Sequence, residues 1–252
     1  MDEELRVKVI TIAHKYLDIV SVLCSTIIFH NSAISYTLNN KPPELERDYR
    51  ELVKDLGTLH NDVKDDFFGR VVDNHMRSMC FISLVSAFEE FLVEISMLAL
   101  KKYPQKISGE QIDFKKAIEM SRDELIEFKA KEYLNKIMYM PPKEYLKSLC
   151  GLLSVDPSSL NDSFIKYIEI KSRRDLGVHN DWKKNEVYER KVKESKGRTP
   201  EDAAILRPSH KYFIYAHEVC ADLVGKITKQ SCDNIFKVVF NEFPIQKIPE
   251  LP

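Results

Sequence analysis

Apolar residues recur every three or four positions along much of the chain, which is the period of an α-helix rather than of a β-strand. The clearest run lies between Asn74 and Lys102 and predicts one helix of about seven turns. Its apolar positions are Cys80, Leu84, Phe88, Leu92, Ile95 and Ala99. A similar pattern predicts a charged helix over residues 112–139.

Prolines and capping residues indicate where these helices begin and end, because proline breaks a helix interior. Pro141 and Pro142 end the charged helix, and a short helix is predicted over 143–150. A loop is predicted for 151–162.

Two further helices are predicted in the second half of the chain. The first begins at the N-cap candidates Asn161, Asp162 and Ser163 and runs to about Leu176. A loop over 195–209 then leads to a final helix from about 209 to 240.

No segment favours strands, so the sequence predicts an all-α fold. The N-terminal part is predicted as a separable helical hairpin, with helices over 3–37 and 44–67 hinged at the segment NNKPPE. The expected organisation is an N-terminal helical extension over residues 1–71, a helical domain over 72–241 and a tail over 242–252.

The chain of 252 residues is 44% hydrophobic and 31% charged, as is typical of a globular protein. Its 38 Lys and Arg nearly balance its 39 Asp and Glu, which argues against indiscriminate coating of nucleic acid. The balance is uneven, however, because residues 165–200 hold 11 Lys and Arg against 6 Asp and Glu, a net of +5. This segment suits a surface for RNA phosphates, although a solvated basic loop has the same composition.

Cysteine spacing and the N-terminus favour a cytoplasmic protein. The five cysteines lie far apart without a CxxC pair, which favours free thiols in a reducing compartment. The first residues, MDEELRVKV, do not resemble a signal peptide. The longest apolar run, over residues 19–29, is shorter than the roughly 20 residues that span a bilayer, so no membrane association is expected.

Sequence motifs for nucleotide binding, zinc proteolysis, serine hydrolysis and di-iron chemistry are missing, so neither a cofactor nor a metal is expected. Glu90 and Glu94 share a helix face, but such spacing is common in ion pairs on solvated helices. His210 and His217 lie seven residues apart and have no visible third ligand.

The segment IEIKSRRDLGVHNDWKK, residues 168–184, contains the strongest candidate chemistry. Arginine presents a planar fork to phosphate oxygens, and histidine transfers protons near neutral pH. These groups suffice for RNA cleavage without a metal, in which the ribose 2′-OH attacks the adjacent phosphorus. His179 would be the general acid or base, and Arg174 would stabilise the transition state. A basic helix C-terminus without any function remains the alternative.

Geometry limits how Arg174 and His179 come together. Five residues apart on a straight helix, they would point about 140° apart around its axis. Gly177 would end or bend the helix between them, or else residues of two chains would meet across a two-fold dimer.

At these residues the chain resembles the HEPN superfamily, whose signature is an arginine followed by four to six residues and a histidine. Arg174 and His179 match it, with the polar Asp175 directly after the arginine. The flanks, including Glu169, resemble the RiboL-PSP and abortive-infection branches, and SLVSAFEEFLVEI is similar to their first helix. The resemblance covers about residues 72–240, and Gly177 departs from the bulkier apolar residue that is common in the family.

This resemblance implies an up-and-down helical bundle that forms a homodimer with a composite active site. It also implies a metal-independent endoribonuclease, in many cases part of a toxin or antiphage system with an antitoxin or another defence-system partner. Asp175 would orient the arginine or the histidine. In such a site the RNA contacts would be Lys171, Arg173, Asn180, Trp182, Lys183 and Lys184, and Trp182, an aromatic residue within the basic segment, would stack on a base.

Two alternatives to catalysis remain open. Some family members bind RNA or nucleotides without cleaving them, and the same basic residues would serve that role. A helical scaffold within a protein complex would need no chemistry from Arg174 or His179.

Overall fold

The computed structural model describes residues 2–40, 75–107, 114–196 and 203–238. Within these ranges the fold is all-α and contains no strand, which confirms the predicted class. The helices are α1 (Asp2–Asn40), α2 (Arg77–Lys102), α3 (Phe114–Glu119), α4 (Arg122–Met138), α5 (Pro142–Leu153), α6 (Pro157–His179), α7 (Glu186–Glu194) and α8 (His210–Ser231). No helix in this part of the chain has the length and apolar content needed to cross a membrane.

Helix α2 lies at the centre of the bundle and packs against α1, α4, α5, α6 and α8. Aromatic rings connect these helices: Phe88 of α2 lies 4.7 Å from Tyr167 of α6 between ring centroids, and Phe81 lies 5.7 Å from Tyr212 of α8. Such edge and tilted contacts add to the free energy of burying the rings. The position of α6 is therefore fixed by the core.

Helix α1 belongs to this core and does not form a separate extension. Its residues Val9, Ala13 and Val20 are buried in the same hydrophobic cluster as α2. The centroid of the Tyr16 ring lies 6.2 Å from the centroid of the Phe88 ring. Helix propensity and pattern do not reveal which neighbour covers an apolar face, so the sequence suggested an independent hairpin.

Several parts of the predicted organisation lie outside the described residues. They are the second hairpin helix over 44–67, the domain boundary near residue 71 and the tail over 242–252.

The charged helix predicted over 112–139 is divided into α3 and α4. Ser121 begins α4 with a capping box, in which its hydroxyl accepts from the Glu124 N–H while the Glu124 carboxylate accepts from the Ser121 N–H. This reciprocal pair satisfies two backbone donors that a continuous helix would bond internally. The periodicity continues across the break, which is why the sequence predicted one helix.

Helix α6 begins earlier and ends later than predicted. The Asp156 side chain, rather than residues 161–163, caps it by accepting from the Ser158 N–H at 3.0 Å, and Pro157 occupies the first turn. The predicted loop over 151–162 shrinks to Ser154–Asp156, and α6 continues to His179.

The two last helices also differ from expectation. The sequence did not predict α7, which is capped by Asn185, whose side chain accepts from the Tyr188 N–H at 2.9 Å. Helix α8 ends at Ser231, short of the predicted 240, and a π-turn over Cys232–Phe236 follows it.

Candidate functional site

The end of α6 is shaped by contact between Gly177 and Trp182. Helix α6 runs through Gly177 and ends at His179, so the glycine does not terminate it as expected. Leu176 O then accepts from the N–H groups of Asn180 at 2.8 Å and Trp182 at 3.1 Å. The indole folds back onto the helix at Gly177, where a side chain would collide with the ring. Because Gly177 has no side chain, the indole occupies the space where a β-carbon would otherwise lie.

The turn after α6 is held by further hydrogen bonds. The Asn180 side-chain amide donates to Lys183 O at 2.7 Å, and the Leu206 N–H donates to Trp182 O at 2.8 Å. Asp181 and Trp182 have φ angles of 45° and 63°, a backbone conformation that is uncommon for residues other than glycine, above all for a bulky one such as Trp182. The segment that follows His179 is therefore firmly anchored.

An open cleft of about 970 Å³ lies beside the last turns of α6. Its lining includes the three predicted catalytic residues, Arg174, Asp175 and His179, and two predicted RNA contacts, Lys171 and Asn180. Further residues of α6, helices α2 and α7, the end of α4, the start of α5 and the connection between those two helices form the rest of the lining. Arg174 and His179 thus reach one cleft within a single chain, despite the angle between them on α6.

Arg174 is held by two carboxylates at the side of this cleft. Its Nη2 donates to Glu89 of α2, and its Nη1 lies 3.1 Å from Asp175 Oδ1. The Arg174 side chain is only 16% exposed, and its Nε is buried and has no hydrogen-bond partner among the residues that the structure describes. Glu89 also pairs with Lys171, and Asp175 pairs with Lys191 of α7 at 3.4 Å. The ion pairs fix the guanidinium between α2 and α7.

Glu89 is a residue of the candidate site that sequence reasoning missed. It lies four residues after Val85 and three before Leu92, both buried, so it occupies the apolar face of α2. An acidic residue within an apolar stripe requires a cationic partner. That signal was present in the sequence, but the partners, Lys171 and Arg174, lie more than 80 residues away.

His179 is exposed to solvent where it lines the cleft. An exposed imidazole at the end of a helix can reach a bound polymer without any rearrangement of the core. Asn180 beside it is half-buried, and its amide nitrogen already donates to Lys183 O. Asn180 therefore has a structural role in the turn in addition to its place in the cleft lining.

Arg173 is completely buried, which is incompatible with the predicted contact to RNA. Its Nε donates to Glu169 Oε1 at 3.0 Å, and its guanidinium lies 3.7 Å from the centre of the Tyr212 ring. The hydroxyls of Tyr188 (2.6 Å) and Tyr212 also donate to Glu169. Burial would lower the pKa of Arg173, but Tyr212, Glu169 and Tyr188 together raise it. This buried charge cluster joins α6 to α7 and α8.

Trp182 is also buried, at 5% exposure, so the predicted stacking on a base is wrong. Its ring packs against Phe81 of α2 with the centroids 5.9 Å apart. Lys183 and Lys184 lie beyond it, outside the cleft lining, and Lys183 forms an isolated β-bridge with Ile205.

The other candidate groups are explained by ordinary contacts. The Nζ atom of Lys15 in α1 lies 2.7 Å from a carboxylate oxygen of Glu90 and of Glu94. The two glutamates, four residues apart on one helix face, thus form ion pairs. Burial lowers the pKa of His217. Among the described residues, no group of three or more His, Cys, Asp or Glu side chains is placed to hold a metal ion.

Comparison with known proteins adds no assignment at this point. No family model, curated protein or solved structure matches the chain.

Proposed function

We propose that the cleft is the active site of a metal-independent endoribonuclease of HEPN type. The observation that carries the proposal is that the exposed imidazole of His179 and the guanidinium of Arg174 line the same cleft. A proton-transfer group and a fixed cation at one cleft are the two elements that transesterification of RNA requires.

In the proposed reaction the ribose 2′-oxygen attacks the adjacent phosphorus and the bond from phosphorus to the 5′-oxygen breaks. The 2′-OH loses its proton, the 5′-oxygen gains one, and the products carry a 2′,3′-cyclic phosphate and a 5′-OH. His179 exchanges one of these protons, and Arg174 binds the charged phosphoryl oxygens. Glu89 and Asp175 orient the guanidinium.

One histidine per chain provides one proton carrier at the cleft. The second proton transfer belongs to water or to the histidine of a second subunit, which fits the homodimer implied by the family resemblance. The resemblance also places the activity in a toxin or antiphage system, so wild-type expression should arrest bacterial growth and expression of His179→Ala should not.

The direct test is cleavage of RNA in excess EDTA, with the product ends mapped. General acid–base assistance contributes about 10² to 10⁴ in rate, so His179→Ala should lose a factor in that range. Arg174→Ala should lose activity as well. His75→Ala and Arg122→Ala change exposed residues outside the cleft lining and serve as matched controls. Undiminished cleavage by both cleft variants would exclude the site.

A binding module without catalysis is the second candidate. It is favoured by the engagement of both Nη atoms of Arg174 with carboxylates, which leaves the guanidinium less available to a transition state. Salt-dependent RNA binding without any cyclic-phosphate product would support this candidate.

A further inference from the structure

The two sides of the cleft differ in chemistry. One side carries the cations Lys171 and Arg174 of α6 with Arg190 and Lys191 of α7, next to three carboxylates, Glu89, Asp175 and Glu194, which leaves a small cationic excess. The other side is formed by the end of α4, the start of α5 and the connection between them, which contribute Met138, Tyr139, Met140, Pro141 and Pro142. A charged side with a cationic excess next to an apolar, aromatic side suits a polymer with a charged backbone and flat, apolar faces.

Tyr139 is the most exposed large hydrophobic residue described, at 90% exposure. A ring so accessible contributes little to the core, and single exposed aromatic residues such as Phe114 also occur elsewhere on this protein. Its location in the lining of the candidate active site gives the exposure a functional reading.

The backbone that carries Tyr139 is fixed although its ring is free. The Met140 N–H donates to Ile137 O at 3.1 Å, and Pro141 restricts the chain directly afterwards. The sulfur atoms of Met138 and Met140 accept from the hydroxyls of Tyr145 at 3.5 Å and Ser148 at 3.4 Å. A ligand that stacks on Tyr139 therefore meets a pre-positioned backbone and has to order little more than the Tyr139 side chain.

We propose that Tyr139 is a stacking platform for an unpaired base of single-stranded RNA, positioned while the cations of α6 and α7 bind the backbone. The inference rests on the proposed function for its choice of ligand. It also names the substrate class, because an A-form duplex hides the faces of its bases from a side chain, whereas a single strand presents them.

Binding measurements test this without cleavage, using His179→Ala protein and a fluorescently labelled 12-nucleotide RNA in EDTA. Added to this background, Tyr139→Ala should weaken single-strand binding roughly 5- to 150-fold, the range for loss of one base–aromatic stack. Tyr139→Phe keeps the ring and should bind about as well as the parent. Phe114→Ala removes an aromatic of 79% exposure outside the cleft and should change nothing.

A duplex of the same sequence and a series of RNAs with a single abasic site locate the effect. The duplex should bind more weakly, and Tyr139→Ala should not affect it. At one position in the series, the abasic site should weaken binding to the parent protein by the same factor as Tyr139→Ala. The abasic RNA and the Tyr139→Ala protein together should then bind no more weakly than either change alone.

The outcomes separate this inference from the proposed function. Equal single-strand binding by Tyr139→Ala and its parent, or equal weakening of single strand and duplex, overturns the stacking platform even if wild type cleaves RNA. Absence of cleavage with Tyr139-dependent binding overturns only the endoribonuclease. Absence of any RNA binding overturns both. Circular dichroism of each variant excludes a folding defect, which an exposed side chain should not cause.

Discussion

The Trp182 indole lies against Gly177, where a β-carbon added to the glycine would be 2.8 Å from the ring atom Cε2 and closer still to Cζ2 and Cη2. Residue 177 lies between Arg174 and His179, so this contact occurs within the candidate motif itself. A bulkier residue at 177 and a buried Trp182 exclude each other. The tryptophan that follows thus explains why residue 177 is a glycine.

Gly177→Ala should lower the free energy of unfolding by about 1 to 3 kcal/mol, the range for overpacking a core. Urea denaturation measures the change. The emission of Trp182, the single tryptophan in the sequence, should shift to the red as its indole is displaced from Gly177 and becomes more exposed to solvent. The matched control is Gly225→Ala in α8, where nothing lies within 4 Å of the added carbon. That variant should gain roughly 0.5 to 1 kcal/mol from helix propensity. Equal effects of the two substitutions would contradict the steric explanation.

Glu89→Gln should separate positioning of Arg174 from its charge. Because Glu89 is 15% exposed and pairs with two cations, Glu89→Gln should lower the free energy of unfolding by about 1 to 3 kcal/mol. This range lies between the values for exposed and for fully buried ion pairs. Without the Glu89 carboxylate the Arg174 guanidinium is less well positioned, so kcat of RNA cleavage should fall roughly 10- to 100-fold with little change in KM.

The adjacent substitution, Glu90→Gln, is the control for Glu89→Gln. Glu90 is 52% exposed and shares Lys15 with Glu94, so its loss should change stability by less than about 0.5 kcal/mol. Kinetic constants should stay at the wild-type values. A kcat for Glu89→Gln that equals the kcat for Glu90→Gln would remove Glu89 from the site.

His217 should make the protein less stable in acid. Burial lowers the pKa of its imidazole, which has a usual value of 6.5, and its buried Nδ1 has no hydrogen-bond partner within the described part of the chain. Below about pH 6.5 the unfolded chain takes up a proton that the folded chain resists, so stability present above that pH is lost as the pH falls.

The variant His217→Gln cannot titrate, so the stability difference between it and wild type isolates the histidine. Urea denaturation at pH 7.5 and pH 5.5 should show the advantage of wild type shrinking at the lower pH. A difference that stays constant between the two pH values would show that His217 does not change its protonation on unfolding in this range.

The sequence predicted the helical fold because periodicity is a local property, and it located Arg174 and His179 because both lie in one short motif. Glu89 and Tyr139 come from other helices or connections, so their place in the cleft depends on packing that no local pattern encodes. Trp182 was predicted to bind RNA because an aromatic in a basic segment is typical of that function. Composition does not indicate on which side of the chain a residue lies.

Arg173 and Arg174 illustrate the same limit within one dipeptide. Adjacent helical residues point about 100° apart, so one of the two lies in the core and the other lines the cleft. Their equal charge and equal helix propensity do not tell them apart. The partner of Arg173, Glu169, lies four residues earlier on α6 itself, whereas the partner of Arg174, Glu89, is brought to it by the packing of α2 against α6.

Arg173→Ala and Arg190→Ala should therefore have opposite profiles. Removing Arg173 leaves the Glu169 carboxylate buried without its cation, which should lower the free energy of unfolding by about 3 to 5 kcal/mol. Removing Arg190, which is exposed in the cleft lining, should leave stability unchanged and reduce the salt dependence of RNA binding by about one phosphate contact. Denaturation curves and binding measured at several salt concentrations test the pair. If Arg173→Ala instead weakened binding with unchanged stability, Arg173 would have to contact RNA, and the burial of the Glu169 cluster would be wrong.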